Sequence, residues 1–225
     1  TQVGASATAN VIFGRKGKEQ VVEADIVLMA TGRKPNVEGL NLEAAGIAYD
    51  RHGIKVDPGT MQVKADAGQP HTLPHIYAIG DVNGLMMLAH AATFQGFRAV
   101  NHILAQADRI RLDIMPAAVF TTPEVAGVGL TEDQCKEQGI SYQCKKGFFR
   151  ANGKALATEE TDGLVKLLSD NTGRVIGCHV LGTHAADIVQ EVASLMNLGV
   201  TIAQLADMVH IHPTIAEVLQ DTARG

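Results

Sequence analysis

Two short apolar runs set the strongest limit on what this chain can fold into. Residues 25–30 read DIVLMA and end in Thr31-Gly32-Arg33-Lys34-Pro35-Asn36, a dense cluster of chain breakers. Residues 75–79 read HIYAI and run straight into Gly80-Asp81. Solid apolar runs of this length, without polar alternation, suit strands covered on both faces, as in a parallel sheet flanked by helices. An Asp just past the carboxyl end of such a strand lies at the ligand-binding edge of an α/β sheet. Runs of this kind are expected to place the first half of the chain in the α/β class.

The surrounding pattern divides the chain. Residues 7–13 and 19–23 flank a Gly/Lys-rich turn at 14–18 and read as a hairpin. Residues 36–75 are turn-rich, with a strand expected near 54–56. A helix is expected over 89–104, where Ala92, Gly96, Ala99 and Ile103 follow helical spacing. Residues 105–111 are polar and charged, and a domain boundary is placed there. Residues 112–225 read as an α+β unit. Strands are expected near 117–121, 127–129, 142–149, 163–169 and 175–181, with the DNTG loop at 170–173 as a hairpin signal. Thr131 and Gly139 bracket a short helix. Residues 185–198 carry an apolar stripe of Ile188, Val189, Val192, Leu195 and Met196, closed by Gly199. Thr201 and Gln204 form a capping box for the next helix, and a last helix starts after Pro213.

Composition narrows function. The net charge is −5 and no Lys/Arg cluster stands out, so the electrostatic footprint of a nucleic-acid binder is missing. Trp is absent, with only six Phe and three Tyr as stacking platforms. No run approaches the roughly 18–20 apolar residues that span a bilayer. Cys135, Cys144 and Cys178 are odd in number, widely spaced and without a C-x-x-C. A disulfide scaffold or zinc site is not expected, and a reducing, cytoplasmic setting is. The chain opens at Thr1 and stops at Gly225, which reads as a piece cut from a longer protein.

The chemistry concentrates in His210-Ile211-His212-Pro213-Thr214-Ile215-Ala216-Glu217. Pro213 locks its own φ and restricts His212 to extended conformations, which presents the imidazole at the edge of a stiff turn. Glu217 has two readings here. It completes a Thr-x-x-Glu capping box with Thr214, or it orients the His212 ring for acid–base work near neutral pH. His210 reads as a polar turn residue.

This H-x-H-P-T-x-x-E stretch resembles the C-terminal end of the pyridine nucleotide–disulfide oxidoreductases, flavoproteins related to glutathione reductase. The resemblance implies that His212 and Glu217 form an acid–base pair. HIYAIGD resembles the family's strand at the flavin site and implies that Asp81 accepts hydrogen bonds from ribityl hydroxyls. Met87-Leu88-Ala89-His90 matches the dihydrolipoamide dehydrogenase branch, where this sequence lies against the flavin ring system. ATGRKPN resembles the family's crossing between its two nucleotide domains and implies that Gly32 approaches the nicotinamide cofactor. TPEVAGVGLTE, from Thr122 to Glu132, resembles the opening strands of the interface domain.

The pieces follow family order. They imply a remnant of the NAD-binding domain at 1–34, part of a Rossmann-like FAD-binding domain at 35–111, and an α+β interface domain at 112–225. They also imply a homodimer that reoxidises dihydrolipoamide with NAD through FAD and a redox disulfide. Its partner would be the lipoamide-bearing acyltransferase of a 2-oxo acid dehydrogenase complex. The family's C-x-x-x-x-C pair and both G-x-G-x-x-G turns are not in this sequence. The chain is therefore expected to carry the base without the disulfide, to bind neither FAD nor NAD tightly alone, and to be inactive in isolation. Another disulfide reductase of the same superfamily and a dimerisation module without catalysis are the alternatives.

Overall fold

The computed structural model describes residues 8–15, 17–65 and 72–225. The expected hairpin forms from β1 (Ala9–Arg15) and β2 (Lys18–Ala24), antiparallel, with Ala9 opposite Ala24. Residue 7, the expected first residue of that hairpin, lies outside the described residues.

Residues 25–30 do not form the expected buried strand. They have no regular structure, and Ile26, Leu28 and Met29 are exposed. A parallel strand exists only through hydrogen bonds to a neighbouring strand, and none of the described residues pairs with this run.

Strands β3 (Tyr49–Asp50) and β4 (Gly53–Ile54) form one small antiparallel pair. Strands β5 (Gln62–Lys64) and β6 (Thr72–Tyr77) form another, with Gln62 opposite Tyr77. The second apolar run is thus corrected from a buried parallel strand to the end of a half-buried antiparallel one, because β5 is the partner the chain supplies. Leu42, Ile47, Ile54, Val56, Val63 and Ala78 make a small core beneath these pairs.

Helix α1 (Ala89–Ile103) buries Ala91, Gln95 and Ala99. That row is offset by one residue from the expected Ala92 and Gly96, and Ile103 is exposed. The offset follows from Gln95, whose side chain is drawn inward by hydrogen bonds to the Gly80 turn.

The C-terminal unit is a five-stranded antiparallel sheet made of β7 (Ala117–Val119), β8 (Val125–Gly129), β9 (Gln143–Phe148), β10 (Leu164–Ser169) and β11 (Val175–Leu181), in the order β7-β8-β11-β10-β9. Helix α2 (Glu132–Glu137) starts in the capping box of Thr131 and Gln134. Helix α3 (Gly153–Ala157), which pattern reading missed, is capped by Asn152. Helix α4 (Ala185–Asn197) lays its stripe over β8 and β11, while α5 (Ile202–Asp207) packs on α6 (Glu217–Arg224), which covers β9 and β10. The closeness of α6 to the sheet depends on Gly147, where a methyl group would strike Thr222. Phe149, Leu167, Val192, Leu205 and Leu219 are fully enclosed in this core. Glycine is needed at 163 and 182 too, because a β-carbon at either would run into the Phe149 ring.

Candidate functional site

The turn after α5 brings His212 and Glu217 together. His212 Nδ1 lies 2.9 Å from Glu217 Oε1, and the ring is 79% exposed. A carboxylate can only accept, so Nδ1 carries the hydrogen and Nε2 is the atom left open to solvent. The other carboxylate oxygen of Glu217 accepts from the Thr214 backbone N–H at 2.8 Å. Both readings of Glu217 therefore hold at once, one oxygen each. The Thr214 N–H first, then the His212 ring, holds the Glu217 carboxyl below the usual carboxylate range.

The capping box is only half made. The Thr214 hydroxyl donates to Ile211 O at 2.7 Å and so tightens the turn. Helix α6 instead begins at Glu217, with Ala216 at its N-cap position. The His212–Pro213 peptide bond is cis.

Further groups fasten this turn. The buried Asn152 donates from Nδ2 to Thr214 O at 3.0 Å. Its other atom, Oδ1, accepts from Ala155 N–H at 2.9 Å. Gln220 of α6 donates to Met208 O at 2.7 Å. Sequence reading missed Asn152, although an Asn ahead of Gly-Lys-Ala is an N-cap signal. His210 is not the polar turn residue expected: its ring is buried against Glu191. Its neighbours Val209 and Ile211 are exposed.

The other expected site residues gather at the end of β6 and the start of α1. Gly80 takes φ of 72°, and its N–H donates to Gln95 Oε1 at 2.8 Å. Asn83 donates to the same oxygen at 2.9 Å and to Ala78 O at 3.0 Å. This buried network fixes the turn and turns the Asp81 carboxylate outward, 3.9 Å from Arg33 Nη1. Arg33 thus lies beside Asp81, with both side chains largely exposed. Gly32 itself is exposed, at φ of 72°, with open space where a side chain would be.

Met87 and Leu88 are half-buried, and Ala89 and His90 are exposed. Leu88, the N-cap of α1, offers no side-chain cap, so no side chain from the N-cap satisfies the first N–H groups of the helix. His90 Nε2 donates to Pro116 O at 2.8 Å and ties α1 to the entrance of β7. A cavity of about 730 Å³ lies beyond His90, walled by Phe94, Ile114, Val189 and Ala193. His212 and Glu217 are not among its lining residues. The chain thus holds two groups of candidate residues, each locally ordered.

All three cysteines are free, and Cys135 and Cys178 are buried. Burial pushes the Cys178 thiol up to about 12. It also raises Cys135 and Cys144, with the Glu132 charge adding to both. None is primed as a nucleophile.

A family model described as the pyridine nucleotide-disulphide oxidoreductase dimerisation domain matches residues 115–223. A second, described as pyridine nucleotide-disulphide oxidoreductase, matches residues 2–96. The chain belongs to the pyridine nucleotide-disulphide oxidoreductase family. Among its relatives, dihydrolipoyl dehydrogenase of Synechocystis sp. is 43% identical over 98% of this chain and 48% of that protein. Dihydrolipoyl dehydrogenase of Bacillus subtilis is 39% identical over 95% of this chain and 44% of its own length. LpdA from Mycobacterium tuberculosis superposes with a TM-score of 0.78 at 31% identity, over 91% of this chain and 43% of that one. The HOCl-induced flavoprotein disulfide reductase RclA from Escherichia coli superposes with a TM-score of 0.75 at 29% identity, over 96% of this chain and 48% of that one. The chain spans less than half the length of each of these proteins. Among the described residues no helix is long and apolar enough to cross a membrane.

Proposed function

We propose that this chain is the C-terminal part of a dihydrolipoyl dehydrogenase and that His212 with Glu217 is its acid–base pair. One observation carries the reading: Nδ1 of His212 is held by Glu217 at 2.9 Å while Nε2 of a mostly exposed ring stays open. Glu217, kept ionised by the Thr214 N–H, fixes the tautomer in which Nε2 is the base. Oxidising a dithiol to a disulfide releases two electrons and two protons. His212 Nε2 takes a proton from the incoming thiol, because a free thiol near pKa ~8.5 holds little thiolate at neutral pH.

The disulfide that accepts the sulfur comes from a second copy of the protein in a homodimer. The substrate is dihydrolipoamide carried by the acyltransferase of a 2-oxo acid dehydrogenase complex. The three free thiols suit a reducing, cytoplasmic compartment. In this reading residues 1–34 belong to the NAD-binding domain, 35–111 to the FAD-binding domain and 112–225 to the interface domain.

The residues at the start of α1 fit a flavin. An outward carboxylate at Asp81 can accept ribityl hydroxyl bonds, and the uncapped N–H groups after Leu88 can stabilise negative charge. When bound, FAD carries the electron pair between the dithiol and NAD. Met87, Leu88, Ala89 and His90 would lie along its ring system, and Gly32 would approach the nicotinamide through its backbone.

In the full-length protein, His212→Gln is expected to lower dithiol oxidation by about 10²–10⁴-fold, the usual range for losing a general base. Reduction of the flavin by NADH should be unchanged. Equal loss of both half-reactions overturns the assignment. The superposition on RclA favours a second reading, another disulfide reductase of the superfamily. A panel of dithiol and disulfide substrates on the full-length protein separates the two.

A further inference from the structure

His210 stands two residues before His212 in the opposite environment. Its side chain is 6% exposed, with Nδ1 at 3.1 Å from Met208 O and Nε2 at 3.0 Å from Glu191 Oε1 of α4. A carbonyl oxygen only accepts, so Nδ1 must bring a hydrogen. Nε2 faces a carboxylate, and a bare ring nitrogen there would set lone pair against lone pair. Both ring nitrogens are thus engaged, one on the Met208 carbonyl and one on the Glu191 carboxyl.

The same Met208 carbonyl accepts from Gln220 of α6 at 2.7 Å. The segment leading to His212 is therefore fixed to α4 through His210 and Glu191, and to α6 through Gln220. The charged groups facing His210 are Glu191 from α4 and Glu217 from α6. The His210 charge also helps to hold the Glu217 carboxyl low, after the larger effects of Thr214 and His212.

We propose that His210 is a positioning residue, its buried ring locked between the Met208 carbonyl and Glu191, that holds residues 208–212 so that His212 keeps Nδ1 on Glu217 and Nε2 outward. This rests on the reading of His212 as the acid–base group. A neutral apolar residue at 210 could fill the same space, but it would leave the segment tied to α6 through Gln220 and no longer tied to α4 through Glu191.

The test is nitrogen NMR of the histidine rings in the 225-residue chain around neutral pH. Neutral His212 is expected to favour the Nδ1–H tautomer. In Glu191→Met, which offers His210 Nε2 no carboxyl or amide oxygen, and in His210→Asn, the His212 tautomer ratio should fall about fivefold toward that of a free imidazole. That is the change expected on losing one hydrogen bond of ordinary net strength. Restoring the carboxylate with Glu191→Asp should recover part of it. Glu191→Met is close in size at a partly exposed position and decides the matter if His210→Asn does not fold.

A His212 ratio unmoved in the folded variants overturns the proposal. If His212 itself lacks the Nδ1–H tautomer before any substitution, the acid–base reading fails instead, whatever His210 does.

Discussion

The C-terminal sheet unit and the segment from β1 through residue 36 use similar apolar material with opposite results. In the first, Phe149, Leu167, Leu205 and Leu219 are fully enclosed. In the second, Ile26 is 87%, Leu28 85% and Met29 86% exposed, and both strands of the hairpin keep apolar side chains in solvent. An antiparallel sheet is closed by short hairpins and helices that its own sequence supplies, as at the DNTG loop between β10 and β11. A run suited to a parallel sheet needs a neighbour delivered by a crossover. Apolar patterning states that a partner is required and does not provide one.

The sharpest way to break this contrast is to truncate one apolar side chain in each region. Phe149→Ala is expected to cost about 3–5 kcal/mol, the range for deleting a buried aromatic ring. It should lower the urea midpoint of the C-terminal unit strongly. A small change there would mean that the core collapses around the vacancy and that its packing is looser than the enclosure of the ring implies.

A second, smaller effect lies at the junction between α1 and the polar stretch that leads to the C-terminal sheet unit. Arg98 of α1 grips Asp108 through three hydrogen bonds of 3.0–3.2 Å, and also donates to Gly59 O at 2.9 Å and Ile110 O at 2.6 Å. The Arg98 guanidinium, with the Ile110 N–H and the Asn101 amide, holds the Asp108 carboxyl below its ordinary value. A depressed folded-state pKa stabilises the fold above the ordinary carboxylate pKa, and the contribution is lost as pH falls through the folded value. Melting temperature against pH should therefore show an acid limb below the usual carboxylate range. Asp108→Asn should lower the neutral plateau and flatten that limb. An unchanged profile would show that the junction does not contribute to stability.

The smallest expected effect is Leu28→Ser. An exposed side chain with no packing partner should change stability by no more than about 0.5 kcal/mol. Urea titration checks this directly, and a loss comparable to that of Phe149→Ala would mean that residues 25–36 are buried in solution.

Much of the fold was legible because local signals and tertiary packing agreed. Thr131 caps α2 and Thr201 with Gln204 caps α5 as their positions imply, and the stripe of α4 faces the sheet. Disagreement came where a side chain had a choice of partner. Gln95 is polar and was not counted toward a buried face, yet its amide closes the Gly80 turn from inside. Thr214 fits a capping box by spacing, but its hydroxyl takes the Ile211 carbonyl instead. Helix α3 is short and carries no apolar period of its own, so only its Asn152 cap announced it.

The same division runs through the candidate site. Sequence alone determined that a histidine sits before Pro213 with a glutamate five positions on, because covalent order sets which groups can meet across one tight turn. It also determined the Gly-Asp and Met-Leu-Ala-His stretches that place the chain in its family. Only the tertiary structure decided that Glu217 serves two donors and that Asn152, at the cap of α3, and Gln220, within α6, brace the turn. It also decided that His210 is buried against Glu191 while His212 faces solvent. Those outcomes depend on distances between elements far apart in the chain, which packing sets and local sequence does not encode.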